Sequence, residues 1–200
     1  MIIKVCGMRD TRNIGEVDDL CPQWMGFIFW PKSSRFVSQK PDCMPAYAQR
    51  VGVFVDENVE RVKQTAADFS LGIIQLHGKE PPEYADGLRK WKVVKAFNIA
   101  AADDLEQTRR YEGHADYFLF DTKAQLAGGN GLKFDWDVLR KYQGHTPFLL
   151  SGGIGPDDAE RVKAFQHPRC AGIDLNSRFE TAPGLKDVNK LREFIKKIRE

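Results

Sequence analysis

Apolar residues fall along this chain in short runs separated by polar stretches. Runs of five or six residues recur at 2–6 (IIKVC), 24–29 (WMGFIF), 50–55 (RVGVFV), 71–76 (LGIIQL), 92–97 (KVVKAF), 116–120 (DYFLF), 146–150 (TPFLL) and 170–174 (CAGID). Each is bounded by turn formers or charged residues, as strands are. Several are apolar at successive positions, which suits parallel strands covered on both faces.

The stretches between them carry helical spacing. Ile14, Val17 and Leu20 mark 11–20, and Val59, Val62, Ala66 and Phe69 mark 58–69. Leu105 and Tyr111 mark 101–113, and Phe134, Val138, Leu139 and Tyr142 mark 134–142. The stretch 156–165 opens on Pro156 and two acids, a suitable first turn. The last stretch, 186–200, places Val188, Leu191, Phe194, Ile195 and Ile198 on one face and is the clearest amphipathic helix. The order reads β-α eight times, at roughly 25 residues a unit. The expected fold class is α/β, a (β/α)8 TIM barrel forming one catalytic domain over 1–200. An open doubly wound sheet is the competitor, but no G-x-G-x-x-G follows the first run.

In such a barrel the chemistry sits at the C-terminal ends of the strands. Cys6 ends the first strand and Asp121 follows the sixth. A thiolate takes a proton from carbon if its pKa falls, and a carboxyl group gives one if its pKa rises. The pair therefore suits a proton-transfer isomerase. A packed thiol and a loop carboxylate are the plainer alternatives. The stretch SGGIGPDDA (151–159) offers Gly152 and Gly153 ahead of a helix start, where backbone N–H groups can cradle a phosphate. A tight turn needs the same glycines. AGGNG (127–131) is a second glycine-rich loop, a lid or further phosphate-facing amides. Arg35 can clamp a planar carboxylate or lie on the surface. His77, after the fourth strand, is a candidate polar contact rather than a base. His114, His145 and His167 fall in helix-to-strand connectors, away from this mouth.

Composition narrows the class. The chain has 200 residues, 42% hydrophobic and 29% charged, with a net charge of +2. That charge is too small to argue for nucleic acid or an anionic membrane. No apolar run approaches the roughly 20 residues that span a bilayer, and no signal-peptide pattern opens the chain. A cytoplasmic protein is expected. Cys6, Cys21, Cys43 and Cys170 show no zinc-knuckle spacing, so reduced thiols and no metal are expected.

The segments KVCGMR, GFIFWPKSSRFV, VGVFVDE, IQLHGKE, LFDT, GGNGLKFDW, LSGGI and PGLKD come in order along nearly the whole chain. Together the chain resembles the phosphoribosylanthranilate isomerase family of tryptophan biosynthesis. The resemblance implies an Amadori rearrangement, from N-(5′-phosphoribosyl)anthranilate to 1-(2-carboxyphenylamino)-1-deoxyribulose 5-phosphate. It implies no cofactor, a small phosphosugar as the only partner, and a monomer or homodimer. It assigns Asp121 as general acid, Cys6 as general base, and Arg35 to the anthranilate carboxylate. His77 joins the substrate contacts. Gly129, Asn130, Gly131, Gly152, Gly153, Asn176 and Ser177 fall to the phosphate. One departure stands out. Where the family usually has D-x-S-S-G, this chain reads DLNSR (174–178). Arg178 lacks glycine's backbone freedom, so the loop is expected to differ in shape or to add charge at the phosphate.

Overall fold

All eight apolar runs become strands. They are β1 (Ile2–Cys6), β2 (Trp24–Ile28), β3 (Gln49–Phe54), β4 (Ile73–Leu76), β5 (Lys92–Ile99), β6 (Tyr117–Thr122), β7 (Phe148–Ser151) and β8 (Cys170–Leu175). The computed structural model describes residues 1–122 and 136–200. Neighbouring strands pair in parallel in chain order, and β8 pairs with β1 to close the barrel.

The period of two along each strand sorts the side chains. Trp24, Val51, Ile73, Val94, Ala96, Leu119 and Leu149 pack together inside the barrel. The opposite parity, with Val5, Phe27, Phe54, Ile74, Phe97, Phe120 and Leu150, joins the larger apolar layer under the helices. The inward parity changes character toward the strand C-termini, where it reads Cys6, Gln75, Asp121, Ser151 and Asp174. The lower barrel is therefore a packed core and the upper end a polar mouth.

Helices α1 (Thr11–Asp18), α2 (Val59–Asp68), α3 (Pro82–Asp86), α4 (Ala159–Ala164) and α5 (Val188–Arg199) cover the strands. Asp10, Asn58 and Asp187 cap α1, α2 and α5 by accepting backbone N–H bonds. The helical half of the eightfold repeat is incomplete. Residues 29–48 hold no helix, and Pro31, Pro41 and Pro45 break the stretch into short pieces. Residues Ala102–Tyr111 and Trp136–Lys141 are 3-10 rather than α. Their buried residues, Leu105 with Thr108 and Trp136 with Leu139, lie three apart. That is the spacing at which a 3-10 helix aligns its side chains. The short α3 and a hairpin of β9 (Glu180–Ala182) and β10 (Leu185–Lys186) were not legible in the sequence pattern. Asn13 of α1 pins the hairpin. Its side-chain nitrogen donates to the Lys186 carbonyl at 3.0 Å and its oxygen accepts from the Lys186 N–H at 2.7 Å.

Lys4 lies inside the barrel with no exposed surface. Its Nζ donates to Asp174 Oδ1 at 2.8 Å, across the seam where β1 meets β8. Burial pulls the Lys4 ammonium down, but Asp174 and Cys6 outweigh it and hold it above its ordinary value. Removing one partner leaves the other charge buried alone. Asp174→Ala is expected to cost about 3–5 kcal/mol in urea unfolding. The double variant Lys4→Met/Asp174→Leu is expected to recover most of that loss. Equal stability of Asp174→Ala and the native chain would remove the pair from the fold's support.

Candidate active site

The site follows from strand parity. Cys6, Gln75, His77, Asp121, Ser151 and Asp174 all end or follow strands at the same end of the barrel, and all line one cavity. Gly152, Gly153, Asn176, Ser177 and Arg178 complete its wall from the loops after β7 and β8. The cavity holds about 200 Å³. Among the described residues, no three His, Cys, Asp or Glu side chains converge as metal ligands do.

The Cys6 thiol is not exposed, as a residue before a glycine turn suggests, but only 4% accessible. Space for it comes from across the β1–β2 pairing. Gly26 is the register partner of Cys6, and a Cβ on Gly26 would stand 2.7 Å from Cys6 Sγ. Gly7, at φ +80°, turns the chain away from the sulfur. A Cβ there would meet Arg35 Cδ at 2.6 Å and Asn176 Oδ1 at 2.8 Å, so the position excludes a side chain on two counts. Burial pushes the Cys6 thiol up. The nearby Lys4 and Lys186 ammoniums pull it down and Asp174 opposes them, leaving it above its ordinary value.

The two carboxylates at the mouth differ. Asp174 is occupied, with Oδ1 on Lys4 and Oδ2 accepting from the Ser151 hydroxyl at 3.2 Å. Asp121 is more open, with its side chain 24% accessible, and its Oδ2 lies 3.7 Å from His77 Nε2. On its other side His77 Nδ1 lies 2.9 Å from Gln75 Nε2.

Arg35 stands outside the cavity wall. Its Nε and Nη2 donate to the Glu180 carboxylate at 2.9 and 2.6 Å. The fork expected for a ligand carboxylate is thus turned on a carboxylate of the chain itself. Lys186, with no exposed side-chain surface, donates to Glu180 Oε1 at 2.6 Å and to Asn176 Oδ1 at 2.8 Å. Burial pushes Glu180 up, but Arg35 and Lys186 outweigh it and hold its carboxyl below the ordinary range.

In the loop after β7, Gly152 and Gly153 both adopt positive φ, at 89° and 68°. The N–H of Gly155 donates to Asp158 Oδ2 at 2.8 Å, so that amide is engaged in capping the helix start. Arg178 causes no backbone strain: the non-glycine residues with positive φ are Cys21, Asp56 and Ser70 among the described residues. Gly129, Asn130 and Gly131 lie outside the described residues.

A family model described as N-(5'phosphoribosyl)anthranilate (PRA) isomerase matches residues 3–197. The chain belongs to this family. It is 51% identical over 206 residues to the N-(5'-phosphoribosyl)anthranilate isomerase of Parabacteroides distasonis, covering 99% of this chain and 93% of that one. The crystal structure of phosphoribosyl anthranilate isomerase from Thermotoga maritima superimposes with a TM-score of 0.84 at 29% identity, covering 100% of this chain and 99% of that one. A structure of the isomerase in complex with reduced 1-(o-carboxyphenylamino)-1-deoxyribulose 5-phosphate gives 0.81 at 28%, covering 100% and 99%. The family resemblance read from the motifs is borne out.

Sequence reasoning missed Lys4, Gly26 and Gln75 as neighbours of the chemistry. Their signal was parity. Lys4 is two residues from Cys6, and Gln75 two from His77, so each shares its partner's face.

Two measurements follow from this geometry. Alkylation of Cys6 by iodoacetamide, read by mass spectrometry of its peptide, is expected to rise with pH through a midpoint above the ordinary thiol value. Lys186→Met removes an ammonium that favours the thiolate and moves that midpoint further up; a downward shift would remove Lys186 from the thiol's environment. Gly26→Ala forces the sulfur aside. It is expected to lower stability by about 1–3 kcal/mol in denaturant unfolding, the range for an overpacked interior. Unchanged stability would mean that the sulfur has room to move.

Proposed function

We propose that Cys6 and Asp121 are the base and acid of the isomerisation that names the family. The substrate is N-(5′-phosphoribosyl)anthranilate and the product is 1-(2-carboxyphenylamino)-1-deoxyribulose 5-phosphate. The observation that supports this most is that a thiol and an open carboxylate face one cavity from β1 and β6, while the other carboxylate there is tied to Lys4 and Ser151.

The steps balance as proton transfers. Asp121 protonates the furanose ring oxygen, the C1′–O bond breaks, and the anilino nitrogen lone pair forms a Schiff base. Without substrate the Cys6 thiol stands above its ordinary value, not below it as the sequence reading requires. It therefore enters this step as the minor thiolate form that Lys4 and Lys186 favour. It takes the proton from C2′, and those electrons form the C1′–C2′ double bond of an enolamine. Tautomerisation then places a proton on C1′ and leaves a ketone at C2′. Each positioned group of this kind contributes about 10²- to 10⁴-fold.

The substrate is anionic at both ends, so two anion sites would hold its sugar between acid and base. Gly152, Gly153, Asn176 and Ser177 take the phosphate in this reading, with Gly129, Asn130 and Gly131 completing the cradle. Arg178 lines the same wall and adds positive charge. Arg35 takes the anthranilate carboxylate through the Nη1 edge while Glu180 fixes its plane. His77 contacts the substrate beside Asp121 in this reading. A monomer or a homodimer is the expected assembly. The cytoplasm suits a base that must remain a reduced thiol.

The test is consumption of freshly prepared phosphoribosylanthranilate, followed by its fluorescence. Native protein is expected to consume it. Asp121→Asn and Cys6→Ala are each expected to cut turnover at least about a hundredfold while remaining folded. Near-native turnover in either variant would remove that residue from the mechanism.

A further inference from the structure

Among the described residues, the buried side-chain polar atom left without a hydrogen-bond partner is Gln75 Oε1. Gln75 is 1% accessible, sits on β4 and lines the cavity beside Cys6 and Asp121. Buried polar atoms are nearly always paired, so an unpaired one on a cavity wall calls for an explanation. The other end of the same amide supplies a second observation. Gln75 Nε2 lies 2.9 Å from His77 Nδ1. In this orientation of the amide, Nε2 donates and Nδ1 accepts. The neutral imidazole then carries its proton on Nε2, the atom 3.7 Å from Asp121 Oδ2.

We infer that Gln75 is a positioning residue for the reaction: its Nε2 fixes His77 with the imidazole proton facing Asp121. The inference rests on the reading of Asp121 as the acid. With N–H facing Oδ2, the acid proton of Asp121 is carried on Oδ1, away from His77. The opposite tautomer would turn the Nε2 lone pair on Asp121. That lone pair would accept the proton intended for the ring oxygen. Gln75 thus keeps His77 from competing with the substrate for the acid's proton.

The first test needs no variant. In ¹⁵N-histidine-labelled native protein, the His77 imidazole is expected to show the pattern of a proton on Nε2 and a bare Nδ1. A proton on Nδ1 would overturn the inference. The second test is Gln75→Met, which keeps length and removes both polar atoms. It is expected to lower kcat at least about tenfold through the lost tautomer control. Its His77 pattern is expected to shift toward a proton on Nδ1. A kcat within about twofold of native would overturn the assignment. The third is a cycle with His77→Gln, whose amide presents N–H without a tautomer to choose. In that background Gln75→Met is expected to lose most of its effect on kcat. A full kcat effect there would mean that Gln75 does not act through His77. Asp121→Asn separates the two readings. If it is inactive while Gln75→Met is native-like, the acid stands and only the positioning role falls.

Discussion

The ammonium of Lys4 is sealed inside the barrel, and the rest of the site depends on how it is held. A buried charge is tolerated when paired and hydrogen-bonded. The pairing here is with Asp174 at the register position directly across the β1–β8 seam. That seam joins the beginning of the chain to a segment about 170 residues later, so the ion pair fixes the alignment on which barrel closure rests. A slip of one residue would reverse the parity of β1. Lys4 and Cys6 would then face the apolar outer layer, and Val5 would face the cavity. Replacing the pair with apolar residues could preserve the fold. It would also remove one of the two ammoniums that pull the buried Cys6 thiol down.

Much of this fold was legible because strands betray themselves locally. Five to six apolar residues between turn formers mark a strand whatever lies around it, and all eight runs read this way became strands. Helices were less legible because packing, not propensity, decides their form. The buried pairs Leu105 with Thr108 and Trp136 with Leu139 lie three apart, a spacing that α and 3-10 helices share and that the apolar pattern does not separate. The thiol and carboxyl at strand ends were visible for the same local reason as the strands. The neighbours that tune them were not, because each is defined by parity or by register with a distant segment. Gly26 looks like any glycine in a strand until β2 lies beside β1, where it makes room for sulfur.

Arg35 shows how the fold can supply a partner that the local sequence does not reveal. An arginine after a strand suggests a fork open to a ligand carboxylate. Its partner in the fold is Glu180, 145 residues away in a hairpin that the apolar pattern did not reveal. Glu180 also receives Lys186, which holds Asn176 at the edge of the cavity. These contacts tie the β2 loop, the β8 loop and the hairpin into one charged cluster. They also bear on the departure at 176–178. Asn176 gives Lys186 an oxygen to bind, and Arg178 occupies backbone that does not require glycine, so the altered sequence fits the loop without strain.

Two carboxylates at one mouth are given different work by what surrounds them. Both oxygens of Asp174 are engaged, by an ammonium and a hydroxyl, so its hydrogen bonds serve the fold. Asp121 meets an imidazole at 3.7 Å and otherwise faces the cavity. An acid needs a proton directed at substrate and no better acceptor beside it. In the proposed mechanism the imidazole meets the second condition only in one tautomer, and the Gln75 amide on β4, 2.9 Å from Nδ1, is the group placed to set it. The division of labour between the two aspartates therefore depends on hydrogen bonds one residue further out than the sequence motif itself.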